Sequence, residues 1–353
     1  MQQTNDDEPL ATLVHISDLH FGNKFTADER VLKRLLAMLP YVQGVCGHSY
    51  QATRALAFRI NQIVRNRKER KIPVSVVFTG DLTRSGEEAE FVVGSTFLRN
   101  AHSTGAGRNV GLKLREPQEE LKRGSEPALF AIPGNHDIWK RRRPDMIGAY
   151  RRFFPGGFPV ICRIETRSRP ILLCGLDSTQ NTEMRHRLAR GRIPPDELDF
   201  LCEHLPSAQY ADAIKIICLH HPLGDPPDKT YNVSMRLEHR EAIAQRFLTS
   251  GADLVLAGHI HEFHVFPKTN HAVAGTATQQ FSERNFLLLD VYEREIQLLP
   301  FDFDIRSLQF LPTVEKRHIF SIPGPSRSTS SPRLSVGQNG TIVRANGKTI
   351  FSG

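Results

Sequence analysis

The stretch Leu129-Phe130-Ala131-Ile132-Pro133-Gly134-Asn135-His136-Asp137 sets four apolar residues directly before a turn that carries an amide, an imidazole and a carboxylate. A short apolar run bounded by turn residues reads as a buried strand, and polar groups just past its end lie where open α/β sheets place their ligands. The same arrangement recurs along the chain. Leu13 to Ile16 precedes Ser17-Asp18, Val74 to Phe78 precedes Gly80-Asp81, and Ile171 to Leu173 precedes Gly175-Leu176-Asp177. Ile214 to Leu219 then precedes His220, and Leu254 to Ala257 precedes Gly258-His259.

Helical spacing fills the intervals. Thr53 to Arg67 sets Leu56, Ile60 and Ile63-Val64 on one face, and Glu87 to Leu98 repeats the pattern with Phe91, Val92 and Phe97-Leu98. Pro195 to Leu205 opens with Pro and then Asp-Glu, and Arg236 to Leu248 stops before Gly251, both good boundary chemistry. Alternating strands and helices predict a layered α/β domain. Val273 to Thr278 and Asn285 to Leu299 read as further strands with little helix between them, so the sheet is expected to close with antiparallel hairpins. We place this domain at residues 10–304, with a polar surface insertion at about 100–125.

The chain has 353 residues, room for about two domains or one large domain with an appendage. Its 39% hydrophobic and 24% charged residues exclude collagenous and wholly disordered readings. The formal charge is +8, which alone would suggest nucleic acid or an anionic membrane as partner. From Ile305 onward, however, seven basic residues stand against Glu315, so a net +6 belongs to the last segment and the body is nearly balanced. That segment, residues 305–353, reads as a Pro, Ser and Gly-rich tail, in which Thr341 to Phe351 could form a small hairpin around Asn346-Gly347. Five scattered cysteines with no C-x-x-C pair suggest neither a disulfide framework nor a thiolate zinc site. The acidic, polar start does not resemble a signal peptide, and no apolar run approaches a membrane span. A cytoplasmic location and no membrane partner are the expectations.

In order, the strand ends offer Asp18-x-His20, Gly80-Asp81, Gly134-Asn135-His136-Asp137, His220-His221 and Gly258-His259-x-His261. Hard oxygens and imidazoles without thiolates suit borderline ions such as manganese, iron or zinc. Their number is too great for one tetrahedral ion and about right for two adjacent ions sharing a carboxylate. Single short motifs arise easily as turns, but composition predicts Gly-His-x-His only about 0.04 times in such a chain.

The ordered set of five blocks resembles the calcineurin-like metallophosphoesterases. The resemblance implies a four-layer α/β/β/α sandwich of two mixed sheets flanked by helices. It implies a first metal on Asp18, His20 and His261, a second on Asn135, His220 and His259, and Asp81 bridging, for two divalent or mixed-valence ions. His136 would then sit beside the substrate phosphate as acid or transition-state stabiliser. Such a pair of ions lowers the pKa of a water held between them, so that hydroxide attacks phosphorus in line with the leaving group.

The stretches around Gly175-Leu176-Asp177-Ser178, Gly191-Arg192-Ile193 and His220-His221-Pro222-Leu223 look most like the class III cyclic-nucleotide phosphodiesterase branch. This implies a small phosphodiester substrate. A nuclease or phosphomonoesterase on the same site is the alternative, and a non-catalytic binding module for nucleic acid or protein is the reading from another class. Nucleic acid is not the favoured partner, and the oligomeric state is not readable. Asp177 and His221 read equally as substrate-side groups or as a turn cap and a packed histidine. Arg141, within Lys140 to Arg143, reads as an anion-steering residue or as part of a solvated helix start.

Overall fold

Every residue of Ala11–Ile16 (β1) is buried, because this strand lies between two others and is covered on both faces. The computed structural model describes residues 8–22, 49–99, 102–103, 109–114, 129–138, 146–180, 189–227, 235–279 and 283–324. β1 pairs in parallel with β2 (Val74–Phe78), which pairs in parallel with β5 (Leu129–Ala131). On its other side β1 runs antiparallel to β12 (Asn285–Val291), which continues through the hairpin partner β13 (Glu295–Asp304). β14 (Gln309–Pro312) and β15 (His318–Ser321) both pair antiparallel with β13.

A second mixed sheet has the order β10 (His264–Phe266), β11 (His271–Val273), β9 (Leu254–Ala257), β8 (Ile214–Cys218), β7 (Ile171–Gly175), β6 (Val160–Ile164). The two sheets pack face to face. Leu13, Val77, Phe130, Leu287 and Leu298 of the first share one buried cluster with Ile171, Leu173, Ile216, Cys218 and Leu256 of the second. Alternation along the strands sends Val14, Ile16, Val76 and Phe78 outward against Leu56, Ile60 and Val64 of α1 (Tyr50–Glu69) and Phe91 and Phe97 of α2 (Glu88–Arg99). α3 (Met146–Phe153) adds Tyr150 to this layer. Leu172, Cys174 and Ile217 on the far face of the second sheet meet Leu198 and Leu201 of α4 (Pro195–His204) and Ile243 and Phe247 of α5 (Arg240–Thr249). The expected four layers are present.

Three expectations change. The boundary at residue 304 is too early: Phe310 and Phe320 are buried in the two cores, so the sheet extends through β15 and the chain is tied in as far as Pro323. The helix expected from Arg236 begins at Arg240, because Leu237 bridges to Gly191 instead and His239 takes a left-handed turn at φ 53°. Val92, expected on the buried face of α2, is exposed, while Gly94 and Ser95 take the inner positions. Of the expected insertion, a two-stranded ribbon, β3 (His102–Ser103) with β4 (Asn109–Val110), is described. The hairpin at 341–351 and the cluster around Arg141 lie outside the described residues. Among the described residues no helix is long and apolar enough to cross a membrane.

Candidate dinuclear metal site

Parallel register places the carboxyl ends of β1, β2 and β5 side by side, pairing Ile16 with Phe78 and Phe78 with Ala131. The turns beyond them then lock together. The Asp18 N–H donates to the Gly80 carbonyl at 3.0 Å and the His20 N–H to the Asp81 carbonyl at 2.9 Å. The second sheet does the same, the Gly258 N–H donating to the His220 carbonyl at 3.0 Å. Bonds across the seam then join the two halves, among them the His259 N–H donating to Asp18 Oδ2 at 3.0 Å. The packing of the two sheets therefore decides where the imidazoles of one meet the carboxylates of the other.

Two groups of donors result, Asp18 with His20, Asp81 and His261, and Asp81 with His220 and His259, the donor atoms of each lying within 4.8 Å of one another. Asp81 belongs to both. Its Oδ2 is 3.8 Å from His20 Nε2 and 3.4 Å from His220 Nε2, while Oδ1 accepts the His136 N–H at 2.7 Å. Asn135 Oδ1 lies 3.1 Å from His220 Nε2 and joins the second group. In the first, Asp18 Oδ1 is 3.1 Å from His261 Nε2 and has no hydrogen-bond donor.

The imidazoles are aimed from behind. A carbonyl only accepts, so His220 Nδ1 carries a proton toward Thr79 O at 2.7 Å and presents Nε2 to the cluster. His259 is turned the other way, Nε2–H donating to Met235 O at 2.9 Å, which presents Nδ1. Gly134 permits the close approach of the two turns, since a Cβ there would lie 2.1 Å from Asp81 Oδ1.

Electrostatics in the cluster are opposed and strong. Burial works against charge on His220, and the Asp81 carboxylate overrides it, holding the imidazole at about 9. Burial likewise raises Asp81, and His220 and His136 together pull it below the usual carboxylate range. His136 falls to about 4 because burial outweighs Asp81. Burial pushes His259 down to about 3. Two carboxylates and several imidazoles this deeply buried demand compensating charge. Borderline divalent cations fit this oxygen and imidazole set, and an orphaned carboxylate oxygen at Asp18 is the place for one.

His136 stands beside both groups, its ring 4.7 Å from that of His20 in an edge-on contact. Its Nδ1–H donates to Arg84 O at 2.8 Å. Asp177 and His221, which read equally as substrate-side groups or as a turn cap and a packed histidine, have partners within the fold. Asp177 caps its own turn, accepting from Thr179 N at 2.9 Å and Thr179 Oγ1 at 2.6 Å. His221 is fully buried, with one ring nitrogen on Ser178 Oγ and the other on Ala189 O. Sequence reading passed over Asp137. Its carboxylate accepts from the N–H groups of Leu82, Thr83 and Gly134 and so fastens the turn after β5 to the turn after β2; its place in the Gly-Asn-His-Asp block was the available signal.

A dinuclear donor set at the strand ends of a double-sheet α/β sandwich defines a metallophosphoesterase. The family model described as calcineurin-like phosphoesterase matches residues 11–263, and the chain belongs to that family of metal-dependent phosphoester hydrolases. No curated protein matches the sequence. Among solved structures, a dimetal phosphatase from Danio rerio is 12% identical, covers 90% of this chain and 100% of its own, and has a TM-score of 0.49. A 5'-nucleotidase from Candida albicans is 13% identical over 85% of this chain and 53% of its own, with a TM-score of 0.39. Vps29 from Chaetomium thermophilum is 12% identical over 89% and 98%, with a TM-score of 0.31.

Proposed function

We propose that the protein is a phosphodiesterase acting on cyclic nucleotides or related small phosphodiesters. The observation that carries the hydrolytic reading is Asp81 Oδ2, shared between the two donor groups. The choice of a diester comes from the Gly175 to Ser178, Gly191 to Ile193 and His220 to Leu223 stretches, which resemble the cyclic-nucleotide branch.

Asp18, His20, Asp81 and His261 would hold one ion, and Asp81, Asn135, His220 and His259 the other. The ligand types favour manganese, iron or zinc. When bound, such a pair neutralises phosphoryl charge and activates water. The chain's own residues do the rest. Asp81 fixes the spacing of the two groups and, by accepting the His136 N–H, sets His136 beside them. With its resting proton on Nδ1 toward Arg84 O, His136 takes a second proton on Nε2 only when a nearby anion opposes the burial that holds it near 4. A phosphodiester is such an anion, and the imidazolium can stabilise charge on the phosphoryl group or return the proton to the leaving oxygen.

Purified protein supplemented with Mn2+ is expected to hydrolyse bis-p-nitrophenyl phosphate and to prefer it over p-nitrophenyl phosphate. Cleavage of the monoester only would favour the phosphomonoesterase, and preference for DNA in a substrate screen would favour the nuclease. Wild-type rates in both Asp81→Ala and His136→Ala would place the chemistry somewhere else.

A further inference from the structure

Both donor groups leave out two histidines of the strand-end set, His136 and His221, and the surroundings of His221 leave it no chemistry of its own. Ser178 Oγ accepts the His220 and His221 N–H groups, both at 3.2 Å. With its lone pairs so used, the Ser178 hydroxyl donates to His221 Nδ1 at 2.9 Å. Nδ1 is therefore the bare nitrogen, and Nε2 carries the proton, donating to Ala189 O at 3.1 Å. Both ring nitrogens are committed, which rules out a ligand or an acid.

What the ring does touch is the second donor group. It lies 5.1 Å, edge-on, from the His220 ring and 4.4 Å, tilted, from the His259 ring. Gly191 presses on it from outside, since a Cβ there would come within 2.5 Å of His221 Cγ.

The groups that hold His221 and His259 come from three segments bridged to one another. Thr179 bridges to Arg192, Gly191 bridges to Leu237, and the Arg192 N–H donates to Ser178 O at 2.8 Å. The Gly191 N–H donates to Arg236 O at 3.1 Å and the Glu238 N–H returns to Gly191 O at 2.9 Å. Ser178 and Ala189 hold His221, and Met235 holds His259 Nε2, so one ladder orients both rings.

We propose that His221 is a positioning residue for the second ion: through it and Met235 O, the ladder of residues 178–180, 189–192 and 235–238 fixes the His220 and His259 rings at the angles that admit a metal. The inference rests on the reading that Asp81, Asn135, His220 and His259 hold an ion. Partners that orient metal-binding histidines typically change metal affinity about 10 to 100-fold when removed.

The test is a Mn2+ titration of chelator-treated full-length protein, followed by EPR of free Mn2+, with thermal unfolding in EDTA alongside. Wild type is expected to bind two ions. Ser178→Ala, which deletes one oxygen and leaves the ring in place, and His221→Phe, which keeps ring volume and loses both nitrogens, should each weaken one of the two ions about 10 to 100-fold. The other ion should stay within about threefold. The double variant should be weakened by less than the sum of the two single effects, because the Ser178 Oγ–His221 Nδ1 bond is lost in both, while Ser178→Ala alone also strips the acceptor from the His220 and His221 N–H groups. Equal weakening of both ions alongside a lowered unfolding temperature would reduce His221 to a packing residue and overturn the proposal, as would wild-type affinity for both ions in folded Ser178→Ala. If His221→Phe fails to fold, Ser178→Ala decides. Wild type binding fewer than two ions would sink the dinuclear reading itself, a result separate from two ions held with wild-type strength in the variants.

Discussion

Asp18, His20, Asp81, His259 and His261 all hold φ between 49° and 73°, a region that costs a residue with a side chain roughly 1 kcal/mol or more. Such turns, placed just after a strand, swing these five side chains back over the strand end where the other donors are, while Asn135 and His220 reach the site without a positive φ. Glycine would relieve the strain and remove the donor. Asp81 shows how narrow the alternatives are, because its neighbour Gly134 lies against the carboxylate and its Oδ1 receives the His136 N–H. Asparagine tolerates the left-handed region as well as aspartate does and can still accept that bond, but it lacks the charge that both donor groups share. Asp81→Asn is therefore expected to unfold within a few degrees of wild type while Mn2+-dependent turnover falls by about two to three orders of magnitude, which thermal melts and initial rates on the diester would check. Asp81→Val, β-branched at φ 58°, should lose the fold as well; an unchanged melting temperature in that variant would show that the turn bears no strain.

At the scale of strands and helices, the polar cluster after each apolar run is what made the sequence readable. Val74 to Phe78 and Ile214 to Cys218 are strands over nearly the residues their composition indicates, because a run buried on both faces is apolar at nearly every position, with Ser75 and Lys215 the polar exceptions. β14 and β15 escaped notice for the opposite reason. In Gln309–Pro312 only Phe310 points inward, and in His318–Ser321 only Phe320 is fully buried, so single core residues were hidden in a basic, polar context. The position of the site was readable and the orientation of its groups was not: nothing in His220-His221 tells which imidazole faces the carboxylates, since Thr79, Ser178 and Ala189 decide it from other strands and loops. The extended boundary makes a direct prediction. Phe310, Phe320 and Ile322 are buried in the cores, and each is worth about 1.5–3 kcal/mol of burial. Arg169 further ties Pro323 O at 2.8 Å to Glu293 O at 2.6 Å and Asp212 O at 2.9 Å. A chain ended after Asp304 forfeits an amount comparable to the whole stability of a typical domain and is expected to be insoluble. One ended after Gly324 should fold, and its urea midpoint should match that of the full chain; a soluble, active 304-residue protein would show that β14 and β15 are dispensable.

Over the whole molecule, the acid limit of stability is set by histidines buried far from water in both sheets, two of which lie outside the metal site. His15 on β1 shares the inward side of Ala11 and Leu13 and has only Thr79 Oγ1, at 2.9 Å, as hydrogen-bond partner. His271 on β11 stacks on Phe266 with ring centroids 4.9 Å apart, and neither of its ring nitrogens has a hydrogen-bond partner. Burial pushes both down to about 3, with Asp18 partly opposing this at His15 and with His264 and His15 adding to it at His271. In the unfolded chain an imidazole titrates near 6.5. Between these values the unfolded state binds protons that the folded state refuses, so each histidine makes the fold less stable as pH falls from about 6.5 toward 3, has no such effect above 6.5, and adds nothing more below 3. The slope is roughly 1.4 kcal/mol per pH unit for each group. Other groups in the site titrate as well, so the informative quantity is a difference between proteins. His271→Phe keeps a ring against Phe266 and removes the titration. Its urea stability relative to wild type should rise by about 1.4 kcal/mol for each unit below pH 6 and stay constant above pH 7. A difference that is flat from pH 7.5 to 4.5 would mean that His271 takes up its proton in the folded protein, and that the strands around it open enough to admit water.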